Sequence, residues 1–379
     1  MLIRVVRGQK IDATGRVKMA NVLFVFLGLE VAAVVALEVY GIARGGDFRS
    51  TLFQIRNFIW LPLQTAVFAY AMRDTRDFRR LALVITAATM LKAVFGIYFY
   101  VKDGLGNNYT PDFITGHTDT VLYVSVLFLW VAAWMHHRST WQRHVLTVVM
   151  VSWFMTAIVM NDRRLAWVSL VGSLLAFYPL IKGRQKRRVN IGLICFAPFI
   201  TLYFSIASKV STGIFKPGAE MLGMSNVEDT SSLWRVLENQ NLVWNLRMHR
   251  ILGSGFGHEW IEFVKLPDIS GAFEQYRLVA HNSLLWIFGI SGVVGFTFLW
   301  LPIVVGVFLA TRSYHAAQTP LHRTAAATVI AVAVCYVNQA WGDIGLGAPL
   351  VTLLMAIALA LAAKLSTETD SWPLEAKLT

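Results

Sequence analysis

The chain has 379 residues, 56% of them hydrophobic and 15% charged, with a mean hydropathy of +0.55. Apolar runs of roughly 18 residues or more recur, long enough to cross about 30 Å of hydrocarbon as helices, while the ten-residue alternating segments of an outer-membrane barrel are not seen. The net charge of +12 does not call for nucleic acid, because loops on the cytoplasmic side of membrane proteins gather Lys and Arg.

Met1 to Lys18 carries five basic residues and no signal-peptide cleavage pattern. It reads as a cytoplasmic tail, with the first span an uncleaved anchor. Spans are predicted at about 20–41, 51–72, 80–101, 119–136, 145–162, 164–182, 190–207, 283–311, 324–344 and 346–364. The fold expected is all-α: a polytopic integral membrane protein of about ten helices, one membrane domain over residues 1–379. With the N-terminus inside, the inside segments are the N-terminal tail, 73–80, 137–144, 182–189, 312–323 and the chain from Lys364 onward. Together they hold twenty Lys and Arg, against five in the short outside loops. That asymmetry sets the orientation, with both termini cytoplasmic and the chain in a bacterial inner membrane. Cys195 and Cys335 both fall in apolar runs, so neither a disulfide framework nor a paired-cysteine metal site is predicted.

The segment 208–280 then lies outside. It holds seven basic and eight acidic residues, with Trp234, Trp244, Trp260 and several glycines. That is not a disordered composition, so an ordered, partly helical cap is expected. The apolar run from His281 to Ala310 is about thirty residues, or ~45 Å as a helix. It is therefore either tilted or begins outside the hydrocarbon.

Four polar groupings near the outer ends invite chemistry. Asn161-Asp162-Arg163-Arg164 puts two arginines on the side where basic residues are scarce. It reads as a solvated hairpin tip or as an anion site, since Arg meets phosphate through a bidentate fork. Arg247 and Arg250 share a helix face with each other. Arg235 lies further back, where an ion pair to Glu238 is the plain alternative to ligand binding. Leu252-Gly-Ser-Gly-Phe-Gly257 is either a tight turn or a place where backbone N–H groups approach an anion. His281-Asn282 opens a helix as a cap, or supplies a general base. The glycines that follow, Gly289, Gly292 and Gly295, suggest close helix packing. Within the spans stand Glu30, Glu38, Arg56, Lys92, Asn338, Gln339 and Asp343, of which Arg56 and Asp343 fall near the outer side. His117 and Asp119 read as capping groups. The usual metal, nucleotide and nucleophile-elbow motifs are missing, and no DxD-type acidic pair stands in an outside loop. Metal-independent chemistry without a cofactor is expected.

Three of these pieces, in order, resemble the O-antigen ligase and O-antigen polymerase superfamily. Arg164-Leu-Ala-Trp167 is similar to that family's Arg-Gly-Ala-Trp segment. Arg235 followed by His249-Arg-Ile-Leu-Gly-Ser-Gly-Phe-Gly257 is similar to its loop arginine and Pro-Leu-Leu-Gly-x-Gly-x-Gly. His281-Asn-Ser-Leu-Leu, with Gly289 through Gly295, is similar to its His-Asn helix. The resemblance covers about residues 160–300. Arg250 stands where the family has Pro, Leu165 where it has Gly, and the spans are slightly fewer.

The resemblance implies a GT-C-type architecture. It implies a glycosyltransferase of lipopolysaccharide or exopolysaccharide synthesis, acting on the periplasmic face. The donor would be a glycan on undecaprenyl diphosphate, and the acceptor a glycan or lipid A-core hydroxyl. His281, Arg235 and Arg164 would be catalytic. Asn282, Arg163, Arg250, Arg247 and Arg56 are the further substrate-binding candidates; the family's motif does not directly support Arg163 and Arg250, and Arg56, with Asp343, is placed by its position near the outer side, where the two could line one cavity. Membrane lipids and a glycan-assembly complex would be its partners. The competing readings are a flippase-type transporter, which predicts repeats, midplane charge pairs or broken helices, and a non-catalytic scaffold.

Overall fold

The computed structural model describes residues 21–104, 116–138, 140–161, 163–210, 215, 218–219, 222, 230–271, 274–343 and 345–372. The basic tail 1–18, Asp162 and parts of the cap between 211 and 229 lie outside the described residues. The helices are α1 (Asn21–Ala43), α2 (Phe48–Ala71), α3 (Thr75–Phe99, ending in a π turn), α4 (His117–His136), α5 (Trp141–Asn161) and α6 (Arg164–Phe177). They continue with α7 (Gly183–Ala207), α8 (Thr230–Met248), α9 (Ser283–Ala316), α10 (Pro320–Gly342) and α11 (Pro349–Glu368). No strand occurs among the described residues. Among the described residues the fold is all-α, with eight helices long and apolar enough to cross a membrane.

Each of the ten predicted spans is a helix, but two differ in kind from the rest. Helix α6 has 14 residues, about 21 Å, too short to cross the hydrocarbon alone. It is held instead by packing on α10: a Cβ at Gly172 would stand 3.1 Å from Val334, and Ser173 donates to the Ala331 carbonyl. Helix α2 has 24 residues but carries Arg49 and Arg56.

The centre of the bundle is α11, whose Met355, Ala356, Leu359 and Ala360 are fully buried. Its many alanines let neighbouring backbones approach, which is how membrane helices gain packing energy without a hydrophobic driving force. Around it stand α2, α9, α10 and α4. Helix α7 lies at the edge, with none of its membrane-crossing window buried.

Several helix ends meet at one end of the bundle. Asn161, closing α5, donates to Thr120 near the start of α4. Leu165 of α6 packs where a Cβ on Gly342 of α10 would lie. Ser283, opening α9, donates to the Asp343 carbonyl at the end of α10. The cap segment binds the turn between α1 and α2, with Asp47 N–H donating to Gly257 O at 3.0 Å. Asp119 behaves as the predicted cap, accepting from Gly116 N–H at 2.8 Å, and also pairs with Lys92 at 3.3 Å.

The long run after His281 is not one continuous rod. It is broken. Helix α9 runs from Ser283 to Ala316 with Gly292 at φ 59°, ψ −172°, a conformation that a residue with a Cβ adopts only at a cost. The break would orphan backbone groups in a place without water. The cap segment supplies their partners. Val293 and Val294 donate to the carbonyls of Arg250 and Ile251, and the carbonyls of Gly289 and Ile290 accept from Ser254 and Gly255.

Candidate functional site

The site is organised by one face of α8. Trp234, Glu238, Asn241 and Asn245 recur at four-, three- and four-residue steps, which puts them on one stripe, and all four are buried. The two asparagines bind an extended stretch of chain as a neighbouring strand would. Asn241 Oδ1 accepts from the N–H of Phe263 and Val264, and its Nδ2 donates back to Val264 O, each at 2.8 Å. Asn245 does the same to Ile261, accepting and donating at 2.8 Å. From α2, the buried amide of Gln54 accepts from Gly257 N–H and donates to the carbonyls of His258 and Leu278. Lower in the segment, Arg277 bonds the Tyr276 hydroxyl and faces Glu262 and Glu259. Those contacts raise its pKa above the usual guanidinium value. These side chains fix the path of 254–281 and so deliver His281 to one place.

His281 lands on Glu238. The carboxylate is 1% exposed and the histidine 24%. The His281 backbone N–H donates to both carboxylate oxygens at 3.2 Å, and Nδ1 lies 3.3 Å from Oε1. The edge of Trp234 closes the other side, ring centres 5.1 Å apart. Since the carboxylate is an acceptor, the bond assigns the ring proton to Nδ1 and leaves the Nε2 lone pair free to take a proton. Next in the chain, Asn282 is 3% exposed and caps α9 by accepting from Leu285 N–H at 3.1 Å. Its Nδ2 is buried with no hydrogen-bond partner among the described residues.

The arginines fall into three groups. Arg235 sits half-buried on α8 between Trp234 and Glu238, beside the stripe that holds His281. Arg163 and Arg164 begin α6, and the contacts Leu165–Gly342 and Asp343–Ser283 tie that helix start to the start of α9. All three arginines thus occupy the end of the bundle that carries His281. Arg247 stands in the last turn of α8, whereas Arg250 lies past the helix end at Met248, so the two do not share the helix face expected of them. Arg247 lies over Trp244 at 5.0 Å, and Arg250 bonds the Arg247 carbonyl. Arg56 is not brought to His281. Its guanidinium stacks on Phe53 at 4.2 Å on the exposed side of α2, while Gln54, two residues earlier, faces the cap.

The glycine-rich stretch is a wedge and not an anion cradle. Gly253, Gly255 and Gly257 all have positive φ, but the N–H groups of residues 253–257 are taken by His249 O, Gly289 O, Ile290 O, Leu37 O and Gln54 Oε1. Phe256, fully buried, heads an aromatic column with Phe58 and Trp286. Its backbone comes so near α1 that a Cβ on Gly41 would fall 2.0 Å from the Phe256 oxygen. Gly292 is the break point, packed against the Ile251 backbone of the wedge and not against another helix. Only Gly295, with a Cβ position 3.0 Å from Leu37, keeps the packing role.

Sequence reasoning missed Glu238 as the partner of His281, because an Arg235 three residues away offered it a local ion pair. The signal was present: a Trp, a carboxylate and two amides spaced like a core face mark buried polar groups with distant partners.

Residues 146–301 match the family model described as O-antigen ligase. No curated protein matches the chain. The match supports the O-antigen ligase and polymerase superfamily that the motifs of this segment resemble. It supports a ligase- or polymerase-type, glycosyltransferase-like role in general, and with the apolar helices indicates a multi-pass membrane protein. Arg163, Arg164, Arg235, Glu238, Arg247, Arg250, His281 and Asn282 all fall inside the matched segment, and Arg56 falls outside.

Proposed function

We propose that this protein transfers an oligo- or polysaccharide from undecaprenyl diphosphate to a sugar hydroxyl of a second molecule. The reaction takes place at the periplasmic face of the bacterial inner membrane, without a metal and with inversion. The observation that carries the reading is the Glu238–His281 pair. A histidine held by a buried carboxylate at Nδ1, with Nε2 free, is the arrangement of a general base. His281 takes the proton of the acceptor hydroxyl, and that oxygen attacks the anomeric carbon from the face opposite the diphosphate. The bond from carbon to the diphosphate oxygen breaks, and the diphosphate leaves with its electron pair. Arg164 and Arg235, with Arg163 beside them, balance the charge that gathers on it. Glu238 stabilises the imidazolium formed. The orphan Nδ2 of Asn282 suits a glycan oxygen next to the base, since a buried donor without a partner costs about 1–3 kcal/mol.

A transporter would account for the broken α9, a feature found in carriers. In carriers, however, the broken backbone faces the cargo. Here the carbonyls of Gly289 and Ile290 and the N–H groups of Val293 and Val294 are all paired with the cap, which favours the enzyme.

The test is transfer from a lipid-diphosphate glycan by purified protein, wild type against His281→Ala and Arg235→Ala, with and without excess EDTA. The expected result is loss of transfer in both variants and full activity in EDTA. Undiminished transfer by His281→Ala removes the base, and EDTA loss rescued by Mg²⁺ or Mn²⁺ overturns metal independence.

A further inference from the structure

Helix α8 is inside out for a helix on a water-soluble domain. Among its described side chains the exposed ones are Leu233, Val236, Gln240, Trp244, Arg247 and Met248. At ~100° per residue they fall within an arc of about 120°. Four of them are apolar and none is acidic. The opposite, buried face carries Trp234, Glu238, Asn241 and Asn245. An ordinary surface helix turns its apolar stripe to the core and its polar residues outward. Here the polar stripe holds His281 and the chain at 261–264, and the apolar stripe is left outward. The stretch gripped by Asn241 and Asn245 extends the same surface. Ile261 and Phe263 are exposed on either side of the half-buried Glu262, and the Phe263 ring lies 6.2 Å from that of Trp244. Past the helix end, Ile251 and Leu252 are exposed as well.

The depth of this surface says what covers it. The wedge meets α9 at its break, Val294 N–H donating to Ile251 O, and meets α1 near its end, Phe256 N–H donating to Leu37 O. From Val293 to Ala316, α9 runs ~36 Å, little more than the ~30 Å of a bilayer's hydrocarbon. Helix α1, with 23 residues, runs ~35 Å. Ile251 and Leu252 therefore stand at the outer ends of two helices that each just cross, which is the hydrocarbon boundary. Leu252 and Val294 line one groove between α1 and α9, so the lipid-facing surface of the crossing helices runs on into the wedge tip. The polar groups on the cap surface suit headgroups. Arg247 stacks over Trp244 at 5.0 Å, and Arg250 and Lys265, each two residues past an exposed apolar side chain, are exposed too. Tryptophan in the interface and a long basic side chain reaching to phosphate are the chemistry of a membrane surface. His249 is not part of this basic rim: burial, then the nearby charges of Arg44 and His258, holds its pKa below the usual imidazole value.

We propose that the outward face of α8, with Ile251, Leu252, Ile261 and Phe263, is inserted into the bilayer leaflet at the His281 end of the bundle. Because the apolar stripe runs from Leu233 to Met248, the helix lies along the membrane surface, its side chains among the headgroups and first acyl carbons and Arg247 at the phosphates. Glu238 is on the opposite face of the same helix. The Glu238–His281 pair is thus carried one helix diameter, ~10 Å, above the inserted side chains. The cap is a part of the membrane domain and not a soluble lid over it. Nothing in this depends on the chemistry assigned to His281.

The test is spin labelling of the full chain in nanodiscs of phosphatidylcholine and phosphatidylglycerol. Cys195→Ser removes the exposed native thiol, and Cys335 is fully buried. Single labels are placed by Val236→Cys, Met248→Cys and Phe263→Cys. Val39→Cys on α1 is the lipid reference and Ser270→Cys on the cap the water reference; all five positions are exposed. Collision with molecular oxygen, which concentrates in hydrocarbon, is compared with collision with a water-soluble nickel chelate. Oxygen in excess is expected at the three cap positions, at a depth of about 5–10 Å into the headgroup–acyl boundary, with nickel in excess at Ser270→Cys. Nickel in excess at any of the three overturns the proposal, because the face then meets water. Weak collision with both reagents also overturns it, because a protein partner or a second copy then covers the face. A label-free reading uses brominated phosphatidylcholine, with the emission of Trp244 taken as wild type minus Trp244→Phe. Quenching of that emission is expected, and its absence overturns the proposal.

Discussion

Glu238→Gln separates an enzyme built around His281 from a membrane protein whose cap happens to contain a histidine. The substitution keeps shape and volume at a position 1% exposed. The amide can still accept from the His281 N–H through its remaining carbonyl oxygen. It presents an N–H where the carboxylate accepted from Nδ1 at 3.3 Å, so it favours the wrong ring tautomer and no longer balances a proton on the ring. The lost interaction is a hydrogen bond to a charged group, worth about 1.5–3 kcal/mol. If it acts in the transition state, kcat falls roughly ten- to 150-fold, at 1.36 kcal/mol per decade. KM for the donor moves little, because Glu238 binds the base and not the glycan. The assay is steady-state transfer from a lipid-diphosphate glycan, with the melting temperature recorded alongside. The cycle with His281→Ala is the sharper readout. A positioning residue that acts through the histidine costs nothing further once the histidine is gone. A folded Glu238→Gln protein with kcat within twofold of wild type refutes the reasoning, as does a full additional loss in the His281→Ala background.

Three more outcomes follow from the same contacts. Gly292→Ala forces φ +59 on a residue with a Cβ, which would also stand 2.3 Å from the Ile251 backbone. The conformation alone costs about 1–2 kcal/mol, so a clear fall in melting temperature is expected, whereas Gly289→Ala meets nothing within 4 Å and leaves stability unchanged or higher. Gln54→Leu strands the Gly257 N–H and two carbonyls; at about 1 kcal/mol or more per buried orphan it should expose 254–280 to limited proteolysis, and an unchanged digestion pattern would sink that account. His249 has its pKa lowered in the folded protein. The unfolded chain therefore binds more protons, and stability contributed by keeping it neutral is intact above the ordinary value of about 6.5 and is lost as pH falls below it. Amide exchange of 249–257 should quicken as pH drops through that range in wild type and not in His249→Gln.

The sequence made the helices legible because composition alone decides them in lipid: backbone groups there have no partner but their own helix. The grouping of Arg164, Arg235 and His281 at one end was legible from charge asymmetry, since two arginines at 163–164 stand out on the side poor in basic residues. What escaped was partnership over long separations. Glu238 meets His281 across 43 residues, and nothing local distinguishes that from an ion pair with Arg235. Arg56 reads as a substrate-binding candidate because its depth near the outer side is legible and the direction of a side chain around α2 is not. The length of α6 was overestimated because the apolar run continues past Phe177 through the turn Tyr178–Leu180 to Ile181, although Pro179 within that turn marks the stop.

The break in α9 explains why a glycine-rich loop and a distant histidine stand in one motif order. The half-helix before Gly292 begins at Ser283, two residues after His281, and its terminal carbonyls at Gly289 and Ile290 are gripped by Ser254 and Gly255. The half after the break is gripped through Val293 and Val294 by Arg250 and Ile251. The same loop is fixed to α1 through Phe256 and to α2 through Gln54. Eight residues of loop, 250–257, thus set the position of the helix that carries the base against the two helices at the chain's start, while α8, which enters that loop at His249, carries Glu238 and Arg235. A change in the loop moves both members of the Glu238–His281 pair at once. The wedge needs glycines because three of its residues turn through positive φ against backbone, with no room for side chains. Its work is to hold the base where the carboxylate can orient it, and no phosphate need touch it for that.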